Sequence, residues 1–134
     1  MTNLDTATNE KVGPNVDKTV GIVAYVTLIG FIIALVLNSS KTGEEKKFGA
    51  FHLRQMLGLI IFSIGLYIAV TILLFIIAFA SPSLALTFGL LLNLVFIGIL
   101  VLVVIGIINA ANGEYKEVPL IGQYSSKILG NTFE

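Results

Sequence analysis

The sequence predicts an all-α integral membrane protein, built as a bundle of three transmembrane helices. Residues 55–113 form a run of 59 residues without Asp, Glu, Lys or Arg, and residues 20–37 form a second, shorter apolar run. Hydrophobic residues make up 56% of the 134-residue chain, and its mean hydropathy is +0.96. Soluble domains are on average about 45–50% apolar, so the hydrocarbon of a bilayer is the expected solvent for most of this sequence.

The first span is predicted at residues 19–38, after a polar N-terminal tail at residues 1–18. Eighteen apolar residues form a helix of about 27 Å, close to the roughly 30 Å of hydrocarbon in a bilayer. β-Branched residues are frequent here, but a lone strand in lipid would leave its backbone groups unpaired, which forces a helix. The tail lacks the basic start of a secretory signal, so we expect this span to remain in the mature protein.

The second helix is predicted to begin at the membrane interface and then to span at residues 56–80. Thr42 and Glu45 have the spacing of a capping box, which marks a helix start. The first turns of this helix are polar, and Phe48 and Phe51 can enter the headgroup boundary while the nearby cations stay hydrated. The Ser-Pro-Ser sequence at residues 81–83 then predicts a tight turn, because proline disfavours helical geometry at the residue before it.

A third span is predicted at residues 84–111, followed by a polar linker and a short amphipathic helix at about residues 120–130. Pro119 suits a first helical position, and Ile121, Tyr124 and Ile128 recur at helical spacing. Residues 19–130 are therefore predicted as a single transmembrane helical domain, with residues 131–134 as a C-terminal tail.

Basic residues predict the orientation of this three-span arrangement. The N-terminus and the turn at residues 81–83 would share one side, with Lys11 and Lys18. The first loop and the C-terminal tail would share the other side, with Lys41, Lys46, Lys47, Arg54, Lys116 and Lys127. By the positive-inside rule, we expect a protein of the bacterial cytoplasmic (inner) membrane with its first loop and C-terminus in the cytoplasm and its N-terminus outside.

The composition argues against several classes of function. Eight acidic residues balance eight basic ones, which argues against nucleic acid as a partner. The chain has no Cys, and its single histidine, His52, has no second histidine with which to form a metal site. It also lacks a Gly-x-Ser-x-Gly motif, a phosphate-binding loop and paired carboxylates in an apolar pocket. We therefore expect no enzymatic activity, no cofactor and no metal.

Four polar side chains are predicted in or near the spans: Tyr25, Tyr67, Asn93 and Asn109. Hydrocarbon penalises unpaired polar groups, so we expect these side chains to contact neighbouring helices. The alternative is a small oligomeric channel or solute transporter, with Asn93, Tyr67 and Tyr25 along the path between helices. Small-xxx-small spacings at Gly65 and Gly106 permit close helix approach, either within one chain or in a homo-oligomer.

Two polar motifs flank the long apolar run. The sequence FGAFHLRQ at residues 48–55 stands at the mouth of the second span, and NAANGEYKEVPLIG at residues 109–122 follows the third. Over about residues 19–129, the chain resembles small bacterial membrane proteins related to the Tic-twenty-like import component of the chloroplast inner envelope. This resemblance implies a multi-spanning helical fold and a part in a protein-conducting or protein-assembly complex.

The family-typical residues and the orientation together define a candidate interaction belt on the cytoplasmic side. Its members are Phe51, His52, Arg54, Gln55, Gly113, Tyr115, Pro119 and Gly122. The leading hypothesis is a non-enzymatic scaffold, or an import-like or assembly-like component, whose belt binds a partner protein or membrane lipids. The simpler interpretation of the same residues is a packing motif, with His52 as an interfacial histidine that prefers a polar boundary.

Overall fold

The computed structural model describes residues 11–134, and the described chain is all-α, as predicted. Its helices are α1 (Thr19–Val26), α2 (Leu28–Ser39), α3 (Gly43–Ala80), α4 (Pro82–Ala111) and α5 (Gly122–Leu129). The short C-terminal helix predicted at about residues 120–130 corresponds to α5. Of the predicted N-terminal tail, residues 1–10 lie outside the described part.

The first apolar run is a helical hairpin and not a span. The helix breaks at Thr27, whose backbone is extended and whose Oγ1 accepts a hydrogen bond from the Gly30 N–H at 2.9 Å. After this break α2 folds back along α1, so that Val20 at the start of α1 and Asn38 at the end of α2 both lie against Gly49. An ion pair of 3.0 Å between Asp17 and Lys41 joins the two ends of the hairpin.

The prediction of three transmembrane helices is therefore not supported. With 12 residues, α2 is about 18 Å long, little more than half of the roughly 30 Å of hydrocarbon. The helices that are long and apolar enough to cross a membrane within residues 11–134 are α3 and α4. Their most apolar stretches have almost no buried residues, unlike a core helix of a soluble protein.

The turn between α3 and α4 forms at the predicted place. The Ser81 N–H donates to the Ile77 carbonyl at 2.9 Å, and Ser81 Oγ accepts from the Leu84 N–H at 3.3 Å. Pro82 occupies the first turn of α4, where its missing N–H has no consequence. Beyond about residue 60 of α3 and before about residue 105 of α4, the two helices form an apolar hairpin with most of its side chains exposed.

The core lies at the opposite end, where the α1–α2 hairpin, the start of α3, the end of α4 and α5 meet. Its largest buried hydrophobic side chains are Tyr25, Phe48, Leu53, Leu59 and Val118. We call residues 11–18, 40–55 and 112–134 the charged end, because they include all eight Lys and Arg residues of the chain. The turn at residues 81–83 carries no charge.

The N-terminal segment lies at this charged end, which corrects the predicted arrangement of loops. The Val12 N–H donates to the Gly113 carbonyl at 2.8 Å, and the Gly13 N–H donates to Glu44 at 3.2 Å. Residues 11–18 therefore lie beside the first loop and the C-terminal segment, and not beside the turn at residues 81–83. The predicted capping box is also absent, because Thr42 makes no side-chain cap and Glu45 accepts from the Asp17 N–H at 3.3 Å.

Candidate functional site

His52 stands at the centre of the charged end and uses both of its ring nitrogens. Nε2 donates to the Glu114 backbone carbonyl at 2.9 Å; a carbonyl can only accept, so the proton is assigned to Nε2. Nδ1 then accepts from the Tyr25 hydroxyl, also at 2.9 Å. The rings of Phe48 and Phe51 meet the imidazole edge to face, with centroids at 4.6 and 5.1 Å. This arrangement suits a neutral imidazole. Burial lowers the pKa of His52, because the charged form loses its hydration. His52 lies before the membrane-spanning part of α3.

Gln55 lies about one turn further along α3 and satisfies its whole amide within the protein. Its Nε2 donates to the Gly122 carbonyl at 3.0 Å and to Ser126 Oγ at 2.9 Å. Its Oε1 accepts from the Val118 N–H at 3.0 Å. A single buried side chain of α3 therefore fixes both the linker after α4 and the start of α5. Gly122 is required at this contact, because a Cβ there would overlap Gln55 Oε1.

Arg54 binds the C-terminal tail. Its Nη1 donates to the Thr132 carbonyl at 3.0 Å and lies 3.4 Å from a Glu134 carboxylate oxygen. Asn38 of α2 donates to the Phe133 carbonyl at 3.3 Å, and the Phe31 and Phe133 rings pack edge to face. Residues 131–134, predicted as a C-terminal tail, therefore pack against α2 and α3.

The remaining belt residues lie in the linker that covers α3. Gly113 is buried and has a φ of +70°, a backbone conformation that residues with a β-carbon rarely adopt. Tyr115 packs against the rings of Phe48 and Phe51, each with a centroid distance of 5.5 Å. Pro119 is exposed. The structure thus brings the predicted belt together at one end, with His52, Arg54, Gln55, Gly113 and Gly122 facing inward.

The polar residues predicted in the spans do not line a common path. Tyr25 is buried beside His52, and Asn109 donates to the Lys116 carbonyl at 3.3 Å. Asn93 donates to the Gly89 carbonyl of its own helix at 2.9 Å and is exposed. Tyr67 is 63% exposed, with its ring against Phe96. The arrangement expected for a channel or transporter is therefore not found.

Two close contacts form around this site: the one at Gly106 was anticipated from its small-xxx-small spacing, and the one at Gly49 was not. Gly49 lets Val20 and Asn38 of the α1–α2 hairpin approach α3, and Gly106 lets Tyr25 approach α4. A Cβ on Gly106 would lie within 2.7 Å of Tyr25 ring atoms. The sequence feature that could have indicated the contact at Gly49 is Asn38, a polar residue at the end of an apolar run. Within residues 11–134, no group of three or more His, Asp or Glu residues is placed to hold a metal ion.

Comparison with known proteins identifies a family different from the one inferred from the motifs. The sequence model of the Magnetosome magnetite crystal formation protein family matches residues 16–124. No curated protein and no solved structure matches the chain. The inferred Tic-twenty-like resemblance was wrong, and the import role that it implied is withdrawn with it. The short polar motifs between apolar helices did not discriminate between families of small membrane proteins. Since the match covers most of the sequence, the chain belongs to the Magnetosome magnetite crystal formation protein family.

Proposed function

We propose that this protein is a non-enzymatic membrane protein of the magnetosome that takes part in magnetite crystal formation by presenting a docking face for an acidic partner protein. The observation that carries the proposal is the distribution of charge over the molecule. All Lys and Arg residues belong to the charged end, whereas the turn at residues 81–83 has none. Under the positive-inside rule this asymmetry favours a cytoplasmic position for the charged end.

Several cations at the charged end are available to a partner. Lys11, Lys41 and Arg54 are engaged in ion pairs with Glu114, Asp17 and Glu134, respectively. By contrast, Lys47, Lys116 and Lys127 are exposed and make no ion pair with any other residue of the described chain. An acidic segment of a partner could pair with these lysines, and the attraction would weaken with salt.

The buried polar contacts support a structural role for the belt residues. Both nitrogens of His52 and the whole amide of Gln55 are used to hold the linker and α5 against α3. Groups engaged in this way are poor candidates for general acid–base chemistry, because a catalyst needs a proton within reach of a substrate. Their role in the proposal is to fix the shape of the docking face.

The proposal is tested by complementation of a magnetite-forming strain that lacks this gene. Crystal size is measured by electron microscopy in strains that carry the wild type, Lys47→Glu with Lys116→Glu, or Lys47→Arg with Lys116→Arg. We expect the Arg variant to restore wild-type crystals and the Glu variant to fail, with equal amounts of protein in the membrane. Full restoration by the Glu variant would refute the docking face, and wild-type crystals in the deletion strain would refute a role in crystal formation.

A further inference from the structure

An apolar groove of about 680 Å³ lies between α5 and the apolar hairpin. Its walls include Gly58 and Ile61 of α3, Gly98 and Leu102 of α4, and Tyr124 and Ile128 of α5. The Ser125 hydroxyl at this groove donates to the Ile121 carbonyl of its own helix at 3.2 Å, so its proton is already used. The volume falls in the range of about 300–1,000 Å³ that is usual for sites of small molecules and cofactors.

One wall of the groove is an apolar ridge made of Leu120, just before α5, and of Tyr124 and Ile128 in α5, and all three side chains are exposed. Leu120 and Ile128 are each 79% exposed, and Tyr124 lies between them at helical spacing. The turn before α5 holds Leu120 outward with a φ of +69°, while the Ile121 N–H donates to the Pro119 carbonyl at 2.8 Å. Such a three-residue turn is rare and strained for a residue with a β-carbon. The unfavourable backbone conformation is thus that of the exposed Leu120 itself.

The groove lies beside the start of the apolar stretch of α3. Ser125 packs directly on Gly58, and Gly58 is near the start of the apolar stretch at residues 56–80. This contact places α5 beside the start of the apolar part of α3. The exposed surfaces of Ile61 and Phe62 on α3 and of Val95 on α4 continue the groove into the lipid-facing surface of the spans.

We propose that this groove binds one acyl chain of a membrane phospholipid, with the lipid phosphate near Lys127. An acyl chain fits the shape and the apolar lining of the groove, and it can enter sideways from the bilayer without leaving hydrocarbon. Lys127 is exposed on the helix that forms the wall and makes no ion pair within residues 11–134. A cation at this level complements a phosphate, as in other interfacial amphipathic helices. This inference does not depend on the proposed docking of a partner protein.

Photolabelling tests the inference. The full-length protein is reconstituted into vesicles with a phosphatidylglycerol that carries a diazirine in one acyl chain, and labelled peptides are quantified by mass spectrometry. We expect labelling of the α5 peptide, and we expect Gly98→Phe, which fills the groove, to reduce it several-fold. Gly65→Phe is the matched control, because Gly65 and Gly98 both face open space but only Gly98 lines the groove. This control is expected to leave the labelling of α5 unchanged.

Two results would overturn the inference. Equal labelling of α5 in the Gly98→Phe and Gly65→Phe variants would mean that α5 contacts only bulk lipid. A chain-to-chain crosslink through α5 that Gly98→Phe abolishes would mean that a second copy of the protein fills the groove. Circular dichroism of both variants checks that they are folded, and Ile128→Ser, which shortens the ridge without adding bulk, is expected to reduce labelling as well.

Discussion

The polar side chains at the charged end show how hydrogen bonding determines the role of a residue. His52, Arg54 and Gln55 were predicted as members of an interaction belt. In the structure each of them is largely buried and bonded to backbone carbonyls that lie more than 60 residues away in sequence. Contacts of this kind cannot be derived from local patterns, because they depend on how the linker after α4 folds over α3. Whether the belt also binds a partner stays a prediction.

The Tyr25–His52 hydrogen bond gives a prediction at the residue scale. In Tyr25→Phe, Nδ1 of His52 loses its donor, and the ring cannot change tautomer because Nε2 must still donate to the Glu114 carbonyl. We expect the free energy of unfolding to fall by about 1–3 kcal/mol, the usual effect of leaving a buried polar atom unpaired. The measurement is unfolding in mixed detergent micelles, followed by circular dichroism.

A second tyrosine provides the control for this measurement. Tyr67→Phe removes the same hydroxyl from an exposed side chain whose ring contact with Phe96 is retained. We expect no measurable change in its free energy of unfolding. Equal stabilities of the Tyr25→Phe and Tyr67→Phe variants would show that the buried hydrogen bond contributes nothing net to stability.

At the scale of elements, the long helices were predictable and the first hairpin was not. The turn at residues 81–83 carries a proline and a serine cap, signals that act locally, and α3 and α4 follow from uninterrupted apolar runs. Residues 19–38 have the length of a span and no proline, so the sequence favoured one continuous helix. The break comes from Thr27, whose side chain caps α2, and the close return of α2 requires a glycine at residue 30. A threonine and a glycine inside an apolar run are too common to indicate a hairpin.

Gly30 provides the prediction at this scale. A Cβ at residue 30 would lie 2.6 Å from the Val23 backbone carbonyl oxygen, and a backbone atom cannot move aside without displacing α1. We expect Gly30→Ala to lower the free energy of unfolding by about 1–3 kcal/mol, as overpacked sites do. Gly65→Ala has open space and gains helix propensity, so it should be neutral or raise stability by up to about 1 kcal/mol. Denaturant titration of both variants in the same detergent would contradict the hairpin if Gly30→Ala matched Gly65→Ala.

At the scale of the whole molecule, the hairpin changes the topology and makes the charge distribution simpler. Three spans would divide the basic residues six to two between the faces of the membrane. With two spans and a hairpin that returns to its starting side, all eight lie on the same side and none on the other. The second arrangement satisfies the positive-inside rule more completely. The charge pattern alone could not select it, because the rule orients spans but does not count them.

Cysteine accessibility tests this topology directly, because the chain has no native Cys. Asn15→Cys and Gln123→Cys are exposed sites at the charged end, and Ser83→Cys lies in the turn between the two spans. In inverted membrane vesicles we expect a membrane-impermeant maleimide to label residues 15 and 123 but not residue 83, and in right-side-out vesicles we expect the reverse. The physical reason is that the Val12–Gly113 and Gly13–Glu44 hydrogen bonds require residues 11–18 to share a compartment with the linker after α4. If residue 15 is instead labelled together with residue 83, the first apolar run crosses the membrane, and the α1–α2 hairpin is not the structure in the bilayer.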